Sequence, residues 1–114
     1  MWSKSRDAGA LGDFELIVLL AVLRLEQEAY GAAIRRHIHT RSGRDVSISA
    51  VYTTLDRLEV KGLLSSWTAD PTPQRGGRRR KAYALRPAGL AALRQAYQVL
   101  AAMAQGLEGR LESK

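Results

Sequence analysis

The hydrophobic and polar positions of residues 47–62 predict one amphipathic helix with both ends marked. Ser47 stands where an N-cap belongs, and Gly62 stands where a left-handed residue would end the helix. Apolar residues recur at helical spacing in one stripe, made of Ile48, Val51, Leu55 and Leu58. The opposite face is small and polar, and it carries Ser49, Ala50, Thr53, Asp56 and Arg57. Such a face suits a DNA major groove, although an ordinary surface helix explains this segment equally well when it is taken alone.

A first helix is predicted over residues 14–25, with Asp13 as its N-cap and Glu15 in its first turn. The segment is apolar almost all the way round, so the helix should be buried on several sides. One small core rarely covers every face of such a helix. We therefore expect a second subunit to cover part of it, including Leu16 and Leu20.

A second helix is predicted over residues 30–40, and a short turn that contains Gly43 joins it to the central helix. Two helices joined in this way form a helix-turn-helix. His37 and His39 lie two residues apart and should point to different faces, so we expect them to bind no shared metal ion. No metal site or cofactor is expected elsewhere in the chain.

Two strands with a basic tip follow the central helix. Residues 63–68 and 81–85 alternate in strand fashion and should pair as a hairpin, which we call the wing. Its positively charged residues are Arg75, Arg78, Arg79, Arg80 and Lys81. These side chains can pair with phosphates or enter a minor groove, and we expect all of them to contact DNA. By itself a basic run is also typical of localisation signals and RNA-binding segments.

Pro87 suits the first turn of a last helix. Its apolar residues repeat at steps of three and four, at Leu90, Leu93, Tyr97, Leu100, Ala104, Leu107 and Leu111. This heptad spacing favours a dimer seam over packing within the protomer, although Gly106 and Gly109 weaken its end. The less uniform stretch at Tyr97 and Ala104 predicts a cleft between subunits that would fit a small apolar effector.

The net charge of the chain bears on which partner these patterns indicate. Its 18 Lys and Arg against 11 Asp and Glu give a net charge of +7 in 114 residues. An excess of this size in one small domain indicates a polyanionic partner, most often nucleic acid, with simple solubility as the alternative.

Several classes of protein are disfavoured. The absence of cysteine excludes disulfides and thiolate zinc sites, and it fits a cytoplasmic protein. The longest apolar run, residues 16–23, is far shorter than a membrane span, and no signal peptide is expected. No nucleophile or phosphate-binding glycine loop stands in a recognisable setting, so an enzyme is not expected.

The chain resembles the PadR family of winged-helix transcriptional regulators over residues 11–107. The resemblance is carried by residues 11–16 (LGDFEL), 29–34 (AYGAAI), 51–62 (VYTTLDRLEVKG) and 75–83 (RGGRRRKAY). It implies a homodimer that binds a palindromic operator, usually as a repressor and sometimes under the control of a small effector. The single last helix is similar to that of the short branch of the family. Relatives often have glycine in place of Ser49 and threonine in place of Arg86.

Together these patterns predict a mainly α fold with a small β-hairpin, a winged helix-turn-helix followed by a dimerisation helix. Residues 1–11 should form an arm, 12–86 the DNA-binding domain and 87–114 the dimerisation helix. The expected function is sequence-specific transcriptional regulation through double-stranded DNA. A winged-helix protein-interaction module and a non-specific nucleic-acid binder are the alternatives. On the central helix, the residues expected to contact DNA are Ser47, Ser49, Tyr52, Thr53 and Arg57.

Overall fold

The structure is a computed structural model, and it describes residues 11–69 and 80–112. The described part is mainly helical, with one two-stranded antiparallel hairpin, which confirms the predicted fold class. A short 3-10 turn, Glu26–Glu28, follows the first helix. In chain order the other elements are α1 (Asp13–Leu25), α2 (Gly31–Ser42), α3 (Ile48–Val60), β1 (Leu64–Ala69), β2 (Arg80–Leu85), α4 (Pro87–Ala104) and α5 (Glu108–Leu111).

The core lies where α1, α2 and α3 meet the hairpin. Burial of apolar surface drives these elements together, because each presents one apolar stripe to the others. The largest fully buried side chains are Val18, Leu19, Val22, Ile34, Val51, Leu55, Leu58, Leu64 and Tyr83. The helix-turn-helix formed by α2 and α3 is therefore fixed on a scaffold made of α1 and the hairpin.

The apolar stripe predicted on α3 is correct except at its first residue. Val51, Leu55 and Leu58 are fully buried, but Ile48 is 41% exposed. Ile48 lies in the first turn of α3, and its neighbours Ser47 and Ser49 are also exposed. This end of α3 therefore extends past the core. Thr54 is buried in its place and completes the stripe at helical spacing.

The starts of α1 and α3 follow their sequence signals, with a correction at α1. Ser47 caps α3, since its Oγ accepts a hydrogen bond of 3.0 Å from the backbone N–H of Ala50. Asp13 is not the cap of α1 but its first residue, and Gly12 is the cap. The helix begins one residue earlier than predicted because the Glu15 carboxylate accepts a 2.9 Å hydrogen bond from the Gly12 N–H.

The hairpin is fastened to the helices through its second strand. β1 and β2 pair with Ser66 opposite Tyr83 and with Thr68 opposite Lys81. The Tyr83 N–H also donates to the carbonyl of Ala29, just before α2, at 3.0 Å. This extra bond extends the pairing to the segment that leads into α2, so β2 contacts both the hairpin partner and the helix-turn-helix.

The last helix differs from the predicted continuous seam in two ways. It starts at Pro87 as expected, but α4 ends at Ala104 and α5 is separate. Gly106 adopts a left-handed conformation (φ +87°), which glycine tolerates better than other residues and which breaks the helix before Leu107. Leu93 is only 6% exposed because it packs against the core of its own protomer. The expectation that the whole stripe stays uncovered is therefore wrong at Leu93, and the seam does not continue as one helix to Leu111.

Candidate nucleic-acid interface

The outer face of α3 presents short polar side chains and one arginine to solvent. Ser49, Thr53 and Arg57 are all exposed, and their spacing of four residues places them on one side of the helix. Arg57 forms no ion pair with any residue that the structure describes. The face is therefore free of bulk and carries one unengaged guanidinium, which is the chemistry that reads base edges in a major groove.

The other two α3 residues expected to contact DNA also have structural contacts. Ser47 uses its Oγ in the helix cap, and the Tyr52 side chain, 39% exposed, packs against Gly31 on α2. A Cβ at position 31 would overlap the phenol ring of Tyr52. Gly31 thus lets the Tyr52 ring lie directly against α2, and a larger residue at this position would push the ring aside.

The turn between α2 and α3 is held by contacts that the sequence did not predict. The Arg44 guanidinium donates to the Asp13 carboxylate at 2.7 Å. The Arg35 Nε donates to the Val46 carbonyl at 2.8 Å, and the Arg35 guanidinium lies 3.9 Å from the Asp45 carboxylate. Exposed ion pairs of this kind contribute little stability individually, but together they restrict the direction in which α3 leaves the turn.

A buried carboxylate ties the start of α1 to the end of α3. Glu15 is 7% exposed, and its oxygens accept from the Lys61 ammonium at 2.9 and 3.1 Å. Burial alone would raise the pKa of Glu15. The Gly12 N–H and the Lys61 ammonium outweigh it, so the pKa lies below its usual value. The spacing of Gly12 and Glu15 signals the cap, but no local pattern predicts the partner Lys61 at the end of α3.

The first two residues of β2 contact other parts of the protomer. The Arg80 guanidinium lies over the Tyr30 ring, 4.1 Å from its centroid, and the Lys81 ammonium lies 3.6 Å from the Glu59 carboxylate. The sequence predicts that both contact DNA, and here each also fastens the wing to the helix-turn-helix. The predicted contacts of Arg75, Arg78 and Arg79 lie outside the described residues.

Tyr83 carries a buried hydroxyl next to α3. Its side chain is fully buried, and the hydroxyl has no hydrogen-bond partner among residues 11–69 and 80–112. Burial raises the pKa of Tyr83 to about 12, and the nearby Asp56, Tyr52 and Glu59 contribute to the shift. A buried hydroxyl without a partner is a cost that the packing of the ring must offset.

Replacing Tyr83 with Phe is therefore expected to leave the free energy of unfolding at pH 7 unchanged or to raise it by up to about 1 kcal/mol. In the wild type the folded chain holds the phenol proton to a pH of about 12, whereas the ordinary value is 10.0. The unfolded chain thus loses the proton first, and stability falls as the pH rises between these values. The Phe variant has no phenol proton, so its free energy of unfolding should not show this decrease at alkaline pH. Urea unfolding at neutral and alkaline pH measures both effects, and a clear loss of stability at pH 7 would contradict the prediction.

Among the described residues, apolar side chains remain uncovered on α1 beside α2 and on the far part of α4. A cavity of about 450 Å³ lies between α1 and α2, and Leu20, Leu23 and Ile38 contribute to its apolar lining. The second surface is the far part of α4, where the exposed large apolar residues are Tyr97, Val99, Leu100 and Met103. Exposed apolar side chains that lie next to one another in this way are typical of protein interfaces.

The two histidines of α2 point to different surfaces, as predicted. His37 lines the cavity beside α1, and His39 lines a separate groove together with Asp45. Within the described ranges, no three histidine, cysteine or acidic side chains are grouped so that they could hold a metal ion. In the same part of the chain, no helix combines the length and the apolar content needed to cross a bilayer.

The comparisons with known proteins identify the family. The model of the transcriptional regulator PadR-like family matches residues 19–95, which is more than half of the chain. The protein therefore belongs to the PadR-like family of transcriptional regulators, which bind DNA and are not enzymes. No curated protein matches the chain.

Solved structures of the same family share the fold. A PadR family regulator from Eggerthella lenta is 28% identical, with a TM-score of 0.65 over 86% of this chain and 83% of that chain. A PadR family regulator from Clostridium difficile is 23% identical, with a TM-score of 0.68 over 90% of this chain and 100% of that chain. A PadR-like regulator from Bacillus cereus is 20% identical, with a TM-score of 0.69 over 89% and 93% of the two chains. The last two likenesses support the fold alone.

Proposed function

We propose that the protein is a cytoplasmic, sequence-specific repressor that binds a palindromic operator as a homodimer. The observation that carries the proposal is the outer face of α3, where Ser49, Thr53 and Arg57 stand exposed opposite a fully buried stripe. In this proposal α3 enters the major groove and the basic wing follows the flanking backbone. Residues 12–86 then form the DNA-binding domain, and residues 87–114 serve dimerisation.

Selection of bound sites from random DNA with the pure protein tests this function. We expect one enriched sequence with two-fold symmetry, and binding to it should survive an excess of competitor DNA. A non-specific nucleic-acid binder would lose the selected site to the competitor. A protein-interaction module would show little DNA binding at physiological salt. A promoter fused to the selected site would then distinguish repression from activation.

The homodimer is proposed from the two uncovered apolar surfaces. In the proposed dimer, α1 and α4 pack across a two-fold axis, and Leu20 and Leu100 become buried in the interface. The other seam residues retained from the sequence are Leu16, Leu90, Tyr97, Ala104 and Leu107, whereas Leu93 serves the protomer core. Such symmetry would place the two α3 helices at half-sites roughly 34–36 Å apart.

A small apolar effector is proposed to bind between the subunits near Tyr97 and Ala104. The support is the change of side-chain size along the α4 surface, where a large ring and a methyl group stand among leucines. A ligand bound there would alter the packing of the subunits and hence the separation of the two α3 helices.

The wing is proposed to supply affinity that does not depend on sequence. Replacing Arg78, Arg79 and Arg80 with Ala should flatten the dependence of log K on log salt by up to about 0.9 for each phosphate that is no longer neutralised. Titrations of operator DNA at several salt concentrations measure this slope. Arg80→Ala alone serves as the matched control, because Arg80 also contacts Tyr30. An unchanged slope for the folded triple variant would show that the wing is no phosphate clamp.

A further inference from the structure

One carboxylate connects α3 to both strands of the hairpin. Glu59 lies in the last turn of α3, and its Oε2 accepts a hydrogen bond of 2.6 Å from the Ser66 hydroxyl on β1. Its Oε1 lies 3.6 Å from the Lys81 ammonium on β2. Ser66 lies in the middle of β1, and Lys81 pairs with Thr68 near the end of the hairpin that leads to the basic tip, so Glu59 holds the strands close to that tip.

A second contact fixes the same end of the hairpin. Arg80 lies over the ring of Tyr30, which is the N-cap residue of α2. Consecutive residues of β2 are therefore tied to the two helices of the helix-turn-helix, Arg80 to α2 and Lys81 to α3. The Tyr83–Ala29 backbone bond and the buried side chains of Leu64 and Tyr83 hold the part of the hairpin nearest the core. The contacts of Arg80 and Lys81 extend that hold to the end next to the tip, where a pair of strands held at one point only could bend.

The energy of the Glu59 contacts is less important than their geometry. The side chains of Glu59 and Lys81 are 35% and 45% exposed, and an ion pair with this exposure contributes little to folding. In addition, a carboxylate beside a DNA-binding face repels phosphate. Its presence between α3 and the wing is therefore best explained by the position that it gives to the wing.

We propose that Glu59 is a positioning residue for DNA binding, which holds the wing at a fixed angle to the outer face of α3. With that angle set before binding, α3 and the basic tip can reach the same stretch of duplex without ordering cost. The proposal rests on the proposed function, because it presumes that both elements bind one operator. Glu59 need not contact DNA.

Positioning and simple charge predict opposite results for Glu59→Ala. The substitution removes a negative charge and releases Lys81, so a charge effect alone would tighten operator binding and steepen the salt dependence. Positioning predicts operator binding weaker by about tenfold, comparable with the removal of one hydrogen bond to a charged group. Glu28→Ala is the matched control, since Glu28 is an exposed glutamate of the 3-10 turn, outside α3, and forms no ion pair with the described residues. It makes the same change of charge and should bind operator equally well or slightly more tightly.

A double-mutant comparison of Glu59 with the wing arginines distinguishes a positioning role from general destabilisation of the fold. Replacing Arg78 and Arg79 with Ala should weaken operator binding less in the Glu59→Ala background than in the wild type. Ser66→Ala removes one of the two contacts without a change of charge, and it should weaken binding in the same direction by a smaller factor. Equal effects of the arginine replacements in both backgrounds, or tighter binding by Glu59→Ala, would overturn the proposal.

A measurement on the free protein separates this proposal from the proposed function. Amide hydrogen exchange along β2 should accelerate in Glu59→Ala and not in Glu28→Ala, while the amides of α1 stay unchanged. A wild-type protein without selective DNA binding would defeat the proposed function whatever the exchange result. Selective binding by the wild type with unchanged exchange in Glu59→Ala would defeat the positioning role alone.

Discussion

The double variant Leu100→Glu and Met103→Glu is expected to be a folded monomer that binds operator at least about 100-fold more weakly than the wild type. Both side chains are largely exposed in the protomer, at 62% and 75%, so the substitutions leave its core intact. In the proposed dimer they would bury negative charges without partners, which opposes association. Each half-site would then be bound alone, without the gain from simultaneous binding. Sedimentation at micromolar concentration and operator titration measure the two effects.

Leu93→Ala is the matched control for the dimer variant. Leu93 lies on the same helix but is buried in the protomer, so its truncation should lower the free energy of unfolding by about 2–5 kcal/mol. The molecules that remain folded should still dimerise. A wild-type chain that sediments as a monomer and yet binds a palindrome tightly would contradict the dimer and the operator symmetry inferred from it.

Arg57→Ala is expected to weaken binding to the selected operator by about 1–3 kcal/mol and binding to random DNA much less. The reason is that an exposed guanidinium on the outer face of α3 can donate two hydrogen bonds to one guanine edge, which other base pairs do not match. Competition titrations with operator and random duplexes measure the difference. Selection of sites with the variant should show relaxed preference at one position of each half-site.

Arg94→Ala provides the charge control for this experiment. Arg94 is exposed on α4 and its removal changes the net charge by the same amount. We expect only a small change in affinity, similar on operator and on random DNA. If Arg57→Ala reduced binding to both duplexes equally, Arg57 would be a backbone contact and the proposed reading of bases would need another residue.

Local patterns predicted most of the architecture. The stripe of α3 and the cap at Ser47 depend on residues a few positions apart, and these predictions are confirmed except at Ile48. The start of α1 was misplaced by one residue because Asp13 is a good cap in isolation. The hydrogen bond from the Gly12 N–H to the Glu15 carboxylate favours Gly12 as the cap. An acidic residue three positions after the cap is a known sequence signal for this arrangement.

Tertiary packing decided what local patterns could not. Leu93 fits the heptad as well as Leu100 does, and only the position of α4 on the core distinguishes the buried residue from the exposed one. Likewise, Glu59 and Lys81 are 22 positions apart, and their contact depends on how the hairpin folds back onto α3. The positive charge of Lys81 therefore led to a predicted DNA contact, whereas its ion pair with Glu59 could not be predicted from the sequence.

The fastening of the wing at Arg80 and Lys81 has a consequence for how such a regulator can evolve. The ties to Tyr30 and Glu59 are made at the start of β2, so the tip between the strands can gain or lose arginines without disturbing them. The outer face of α3 is set by separate contacts, through Arg35, Arg44 and the core. In the proposed binding mode, mutation of the tip can therefore change the affinity for DNA, so that it suits the salt concentration of the cell and the gene dosage. The recognised sequence stays the same. In that mode, a new target would require change on the outer face of α3.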